Sequence, residues 1–231
     1  MIRRDYILRM IEEFLQALSR IKALKRDQLS QEAAVTLDEE FKRLTGDGGK
    51  RLTQLTETKL LALLMKGEPT QVIHTKTLLL AALFKEAAEV AALQNQPEES
   101  RNCHLKGLHL LLHALGRGES EEMPDYVPKV AQFVTGLAGA PLPFETDALL
   151  MHHYERTGQF SKAEDSLFAM LEVEPENRRI IEFGISFYER LLIQSDANLS
   201  LGNLPRTEVE AGLAELRQKS QLLSSERPDG K

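Results

Sequence analysis

The sequence predicts an all-α fold, with about ten helices packed as hairpins in a short, irregular solenoid. No segment shows the sustained alternation of apolar and polar residues that is typical of a β-strand. The composition contains no Trp and only 6% aromatic residues, and this favours helix-on-helix packing over a β-sandwich. The third observation is the segment from Tyr154 to Asn177, which has the pattern of two short antiparallel helices joined by a tight turn.

In the N-terminal half, helices are predicted over residues 3–25, 30–44, 57–65, 70–93 and 97–115. The first has apolar residues at steps of four and three, and three further leucines are expected to widen this stripe: Leu8, Leu15 and Leu24. Ser30 is expected to cap the second helix, and the glycine-rich run at 46–49 ends it. Gly67 and Pro69 end the third. The short turn at 94–96 makes the last two helices antiparallel neighbours.

In the C-terminal half, helices are predicted over residues 125–137, 144–157, 161–173, 175–194 and 206–223. Glycine and proline interrupt the apolar pattern and predict loops at 116–124, 138–143 and 195–205. The chain is expected to form a single helical domain over residues 1–223. The alternative is a division into N-terminal helices at 1–68 and a hairpin array at 70–223. The tail 224–231 is expected to be disordered.

The prediction of helical hairpins depends mainly on the Tyr154–Asn177 segment. Gly158 lies at its turn, where a left-handed backbone conformation is expected. Pro175 stands where the first turn of the next helix is predicted to begin. Side chains predicted to pack between the two helices and over their turn are Tyr154, Phe160, Ala163, Leu167 and Met170.

A sequence repeat accompanies this segment. Tyr-Glu-Arg at 154–156 recurs at 188–190, beginning with Tyr188, and the spacing of 34 residues is the period of the tetratricopeptide repeat (TPR). The same register aligns Leu167 with Leu201 and then decays at Gly202. The segment therefore resembles a TPR hairpin, which is a packing motif and not a catalytic one.

Nearly the whole chain resembles an uncharacterised bacterial family of TPR-like helical proteins, a domain of unknown function. The resemblance rests on four stretches, RRDYILRMIEEFLQAL, YERTGQFSKAEDSLFAML, FYERLL and LPRTEVEAGLAEL. It implies an all-helical fold and a bacterial cytoplasmic setting. It implies no reaction, ligand or partner.

Charge and cysteine content limit the classes of partner and compartment. The formal net charge of −6 does not favour binding to nucleic acid or to anionic lipid. Cys103 is the single cysteine, so neither an intramolecular disulfide nor a multi-cysteine metal site can form. Acidic residues interrupt the N-terminal apolar segment, which excludes a signal peptide there, and the apolar runs are too short to span a bilayer. A cytoplasmic protein is expected.

Few residues in the sequence suggest a metal-binding, phosphate-binding or catalytic site. His109 and His113 lie four apart on one face of a predicted helix, a spacing that can hold zinc. They are weak candidates, because Cys103 and His104 lie more than a turn away and no third ligand is evident. The run at 46–51 lacks the first glycine and the hydroxyl residue of a Walker loop. No catalytic residue and no cofactor is therefore assigned.

Three functional hypotheses remain. The favoured one is a protein–protein interaction or scaffold protein that binds a peptide or partner helix on a TPR-like surface. The alternative is a small helical metal-binding sensor or enzyme that uses the Cys103–His113 helix. The third is a homodimer formed through the helix at 3–25.

Overall fold

The computed structural model describes residues 2–117, 123–137 and 141–225. Within these ranges the chain forms twelve α-helices and no strand, which confirms the predicted all-α class. None of the helices described is both long enough and apolar enough to cross a membrane. The chain divides into two compact units, Met1–Ala140 and Pro141–Lys231, here called the N-terminal and C-terminal units.

The N-terminal unit is built around one buried helix. Its helices are α1 (Ile2–Arg26), α2 (Ser30–Thr45), α3 (Gly49–Gln54), α4 (Glu57–Met65), α5 (Thr70–Leu93), α6 (Pro97–Arg117) and α7 (Val130–Gly136). Every residue from Thr77 to Phe84 on α5 is buried, as expected of a helix that has neighbours on all sides. Helices α1, α2, α4 and α6 pack on α5, and α7 packs on α6.

Helix α1 presents a narrower apolar face than the sequence predicts. Phe14, Leu18 and Ile21 are buried, but Leu8 and Leu15 remain 49% and 42% exposed. The predicted widening of the stripe by these two leucines is wrong, because the neighbours of α1 cover only the Phe14 side of the helix. The homodimer through residues 3–25 stays a prediction.

The C-terminal unit consists of two helix pairs and one short helix, α11. Its helices are α8 (Phe144–Arg156), α9 (Phe160–Val173), α10 (Arg178–Leu192), α11 (Asp196–Leu201) and α12 (Arg206–Ser225). Helix α8 packs on α9, α10 packs on α12, and α9 packs on α10. The core of this unit includes Met151, Leu167, Ile181, Phe187 and Tyr188, which are fully buried.

Two short helices occupy segments predicted as turn or loop. Helix α3 begins at Gly49, where the Asp38 carboxylate accepts a hydrogen bond from the Gly49 amide at 2.9 Å. Helix α11 lies within the predicted 195–205 loop and is capped by Ser195, whose hydroxyl accepts from the Asn198 amide. Both are only six residues long, too short to show an apolar period in the sequence.

Two predicted helix starts and one predicted N-cap are wrong. Helix α7 begins at Val130 instead of near residue 125, because Pro128 is incompatible with a helix interior. Helix α10 begins at Arg178 instead of Pro175, because the Asn177 side chain accepts from the Arg179 amide and caps the helix there. Ser30 is the first residue of α2 and not its N-cap, which is Leu29.

The division of the chain falls at residue 140 and not near residue 69. Helix α5, which begins at Thr70, packs on α1, α2 and α4 and so belongs with the helices that precede it. The sequence prediction was a single domain over residues 1–223, with 1–68 and 70–223 as the alternative. Of the tail predicted to be disordered, residue 225 ends α12, and 226–231 lie outside the described residues.

Candidate functional site

Helices α8 and α9 form a tight hairpin through the connection at 157–159. Gly158 has φ +71°, and its backbone turn is closed by the Gln159 amide, which donates to the Tyr154 carbonyl at 2.9 Å. A Cβ on Gly158 would meet no atom within 4 Å, so the requirement for glycine there is conformational and not steric.

The residues assigned to this hairpin from the sequence lie mostly where the sequence places them. The buried ones are Tyr154, Phe160, Ala163, Leu167 and Met170. Pro175 is exposed in the connection between α9 and α10 and does not begin a helix. Its role is therefore to end α9 and not to start α10.

Helix α10 approaches its neighbours through two glycines that the sequence analysis did not identify. A Cβ on Gly212 of α12 would lie 2.4 Å from the Tyr188 ring, and a Cβ on Gly184 would lie 2.5 Å from Leu216. The Tyr188 hydroxyl donates to Glu164 on α9 at 2.6 Å, and burial together with this hydrogen bond raises the pKa of Tyr188. Glycine within a helix is unfavourable, so glycines at these positions were an available signal of close packing.

The partner of α10 is α12, not the segment that a 34-residue repeat would assign. The repeat aligns Ala163 with Ala197 and Leu167 with Leu201, yet Ala197 and Leu201 are exposed. Helix α11 is too short to cover α10, and α12 takes that position instead.

A cleft of about 1010 Å³ lies between α8, α10 and α11. Its lining includes both arginines of the repeated Tyr-Glu-Arg motif, Arg156 and Arg190, together with Gln194 and Leu201. Arg190 donates two hydrogen bonds to the Glu155 carboxylate, from Nε at 2.7 Å and from Nη2 at 2.9 Å. This interaction joins the last turns of α8 and α10 across the cleft. The repeated motif is visible in the sequence, but this interaction between its two copies is not.

Hydrogen bonds fix the walls of this cleft. The Ser161 amide donates to the Gly202 carbonyl at 3.0 Å, which holds the α8–α9 turn against the end of α11. Arg206 donates to the carbonyls of Leu192 and Gln194 at 3.1 and 2.7 Å, and so ties the start of α12 to the end of α10. The cleft is therefore formed before any partner arrives, which lowers the entropic cost of binding.

A model of a family of unknown function (DUF6483) matches residues 1–221. The chain belongs to this family. The match extends over both units of this DUF6483 protein, from α1 into α12. No protein with a curated function and no solved structure matches the chain.

The histidine and cysteine residues on α6 of the DUF6483 chain do not assemble a ligand set. The His109 and His113 rings lie 5.2 Å apart between centroids, and His109 is buried. Cys103 is buried as a free thiol, and burial raises its pKa to about 12. Across the side chains described, no three His, Cys, Asp or Glu residues are grouped to hold a metal ion. The alternative hypothesis of a metal sensor on α6 has no third ligand to support it.

Proposed function

We propose that this protein is a protein-interaction module that holds an extended peptide or a partner helix in the cleft between α8, α10 and α11. The single observation on which the proposal rests is the preformed cleft of about 1010 Å³ with the exposed Leu201 side chain at its wall. Small-molecule sites are mostly concavities of about 300–1,000 Å³, and this cleft lies just above that range.

The chemistry of the lining suits a polypeptide partner. Gln159, Gln194 and Asn198 present carboxamide groups, which both donate and accept hydrogen bonds and so match the amide and carbonyl groups of a peptide backbone. Leu201 is 86% exposed and offers an apolar anchor beside them. An apolar anchor surrounded by polar groups is the usual composition of a protein-binding surface.

The TPR-like pattern of the sequence is a further reason for the same proposal. Tyr154 and Tyr188, which are 34 residues apart, are both buried in their helix pairs. Stacked helical hairpins form extended concave binding surfaces, and residues of both α8 and α10 line the cleft. The single buried thiol and the family resemblance favour a bacterial cytoplasmic setting for this activity.

A photo-crosslinking amino acid placed at Leu201 tests the proposal. Ile193 is the matched control, because it is 84% exposed, close in sequence and not part of the cleft lining. We expect the probe at Leu201 to form a discrete crosslinked product with one protein in lysate of the source cells, and the probe at Ile193 to form none.

A second pair of variants tests the same contact without a probe. Leu201→Asp is expected to abolish recovery of that partner, while Ile193→Asp retains it, and both variants should unfold at the same temperature as the parent. Equal labelling from the two positions, or recovery unchanged by Leu201→Asp, would rule out the cleft as the binding surface.

A further inference from the structure

Helix α7 is held on α6 by two contacts in which a ring lies directly against a glycine. A Cβ on Gly107 of α6 would lie 2.3 Å from the Phe133 ring of α7, and Phe133 is fully buried there. In the opposite direction, a Cβ on Gly136 of α7 would lie 2.3 Å from the imidazole of His104 on α6. Each helix therefore offers a glycine backbone on which a ring of the other helix packs.

His104 is the polar ring of this pair. It is 9% exposed, and its ring meets the Phe133 ring nearly at right angles, with 6.1 Å between the two centroids. Among the residues described, its buried Nδ1 atom has no hydrogen-bond partner. A neutral imidazole can be buried in this way at moderate cost, whereas an imidazolium carries a charge and needs acceptors for two N–H groups.

The charged groups around His104 do not offset that cost. On α5, Glu89 favours the charged ring and Lys85 opposes it. Lys85 lies 2.6 Å from Glu89, and Lys25 of α1 binds the same carboxylate. Helix α7 has no titratable side chain, and Arg101, one turn before His104 on α6, adds another positive charge. Burial therefore prevails and lowers the pKa of His104 below its ordinary 6.5.

The end of α7 compensates little for a charge on His104. Carbonyl groups at the C-terminus of a helix attract cations. Helix α7 has only seven residues, however, and the Leu137 amide already donates to the Phe133 and Val134 carbonyls, each at 3.1 Å. A proton on His104 is therefore accommodated best when α7 moves away and water reaches the ring.

We propose that α7 is an acid-sensitive strap, which is docked on α6 while His104 is neutral and is released when His104 takes up a proton. Release leaves the core around α5 in place, because that core is formed with α1, α2, α4 and α6. It uncovers the side chains of Phe133 and Leu137, which are 0% and 4% exposed in the docked state. Acidification thus presents an apolar surface that is hidden near neutral pH.

The direction of the pH dependence follows from proton uptake. Above the ordinary pKa of 6.5, His104 is neutral in both the docked and the released state, so docking is strongest there. Below 6.5 the released state binds the proton more tightly. The docking equilibrium then falls by up to about tenfold per pH unit, until His104 is also protonated in the docked state.

Hydrogen exchange of the α7 amides, corrected for the intrinsic effect of pH on exchange, measures the release. We expect the opening equilibrium of α7 to rise about three- to tenfold between about pH 6.5 and 5.5. The amides of α2, in the same unit, should stay protected. An equal rise at α2 would mean that the unit unfolds as a whole, and it would overturn the proposal, as would the absence of any rise at α7.

Two variants and a control test the role of the imidazole. His104→Gln keeps a polar side chain that cannot be protonated, so the opening of α7 should no longer depend on pH in this range. His74→Gln, at a half-buried position of α5, is the matched control and should retain the dependence of the parent. Gly136→Ala places a methyl group against the imidazole and should increase opening about tenfold or more even near neutral pH. A pH dependence that survives in His104→Gln would contradict the assignment.

If His104→Gln does not fold, NMR of the parent supplies the same test. The His104 imidazole signals should titrate below pH 6.5, and the Phe133 ring signals should change with the same midpoint. A His104 that titrates at 6.5 or above, or a Phe133 ring that does not respond, would overturn the proposal. Neither result bears on the cleft of the C-terminal unit.

Discussion

Individual small residues determine how closely the helices of the C-terminal unit pack. Ala163 on α9 is fully buried, and Gly184 and Gly212 lie in the interiors of α10 and α12. Glycine within a helix costs roughly 0.5–1 kcal/mol relative to alanine. A side chain on Gly212 would meet Tyr188 at 2.4 Å, and relieving such an overlap typically costs about 1–3 kcal/mol. Close packing therefore outweighs helix propensity at these positions.

At Asp147 the packing is unfavourable, because a carboxyl side chain is buried and its ionisation is therefore costly. It lies in the first turn of α8, where the helix dipole favours a carboxylate, yet it is buried. Burial prevails and raises the pKa of Asp147 to about 6, from an ordinary value of 3.8. The folded state therefore holds the proton more tightly than the unfolded chain does, and the Asp147 contribution to stability declines as the pH rises from about 4 through 6.

We predict that Asp147→Asn stabilises the protein by about 1–3 kcal/mol at pH 7.5 or so and changes little near pH 3.5. The reason is that asparagine keeps the shape of the protonated acid and cannot ionise. Urea unfolding at the two pH values measures the effect. Glu145→Gln, in the same turn but exposed, is the control and should be neutral at both. Stabilisation that does not depend on pH would contradict the explanation by ionisation.

At the scale of the elements, α1 is attached to α5 by charge as well as by apolar packing. Lys25, near the end of α1, pairs with Glu86 and Glu89, which are a helical turn apart on α5. The side chains of Lys25 and Glu86 are only 13% and 4% exposed. An ion pair so poorly hydrated is costly to break, because removal of one partner leaves the other charge buried.

We predict that Lys25→Met destabilises the N-terminal unit by about 1–3 kcal/mol, less than for a fully buried pair because Glu89 is 40% exposed and Lys85 still pairs with both carboxylates. Lys22→Met is the control, since Lys22 is exposed on the same helix, and it should cost less than about 0.5 kcal/mol. Chemical denaturation of both variants measures the difference. A loss shared equally by the two would mean that α1 tolerates no change in its last turns, whatever the charge.

The stabilisation that Lys25, Glu86 and Glu89 provide is expected to depend on pH at both acid and alkaline extremes. Burial alone would raise the pKa of Glu89, but Lys25 and Lys85 outweigh it and hold the pKa below the ordinary 4.5. Burial alone would lower the pKa of Lys25, but its bonds to Glu86 and Glu89 raise it above 10.5. The stabilisation is thus complete from about pH 5 to 10 and is lost as the pH falls through the Glu89 pKa or rises through the Lys25 pKa. Lys25→Met should remove the alkaline limb of the stability profile and weaken the acid limb, where Lys85 still pairs with Glu89.

The sequence predicted long helices well and short ones poorly. The apolar run in α5 and the residues that begin and end α8 and α9 follow from helical periodicity and from glycine and proline. Helices α3 and α11 do not, because each depends on a cap and on packing and not on a repeated pattern. Helix α7 begins at Val130 and not near residue 125, because Pro128 is incompatible with a helix interior.

At the scale of the whole molecule, the candidate sites depend on which helices pair, and periodicity does not determine pairing. The sequence contains Glu155 and Arg190, but only the folded structure shows that they join across a cleft. The 34-residue spacing aligns Leu201 with the buried Leu167, but Leu201 is exposed, because α12 and not α11 packs on α10. A pocket of about 160 Å³ in the N-terminal unit is lined by residues of four helices, α2, α3, α5 and α6, so no local sequence motif predicts it.

The two compact units imply a prediction about folding. The C-terminal unit has its own apolar core, formed by α8, α9, α10 and α12, and it exceeds the roughly 40 residues below which a chain rarely folds without metals or disulfides. We therefore expect a fragment of residues 141–231 to be helical by circular dichroism and to unfold cooperatively in urea.

The fragment 141–177 is the control, because it retains α8 and α9 but lacks α10 and α12. Leu167 would lose Gly184 as a neighbour, and the apolar face of the α8–α9 hairpin would stay uncovered. This shorter fragment should be largely unfolded. A gradual, non-cooperative loss of helix in the longer fragment would show that the core of this unit is not sufficient by itself.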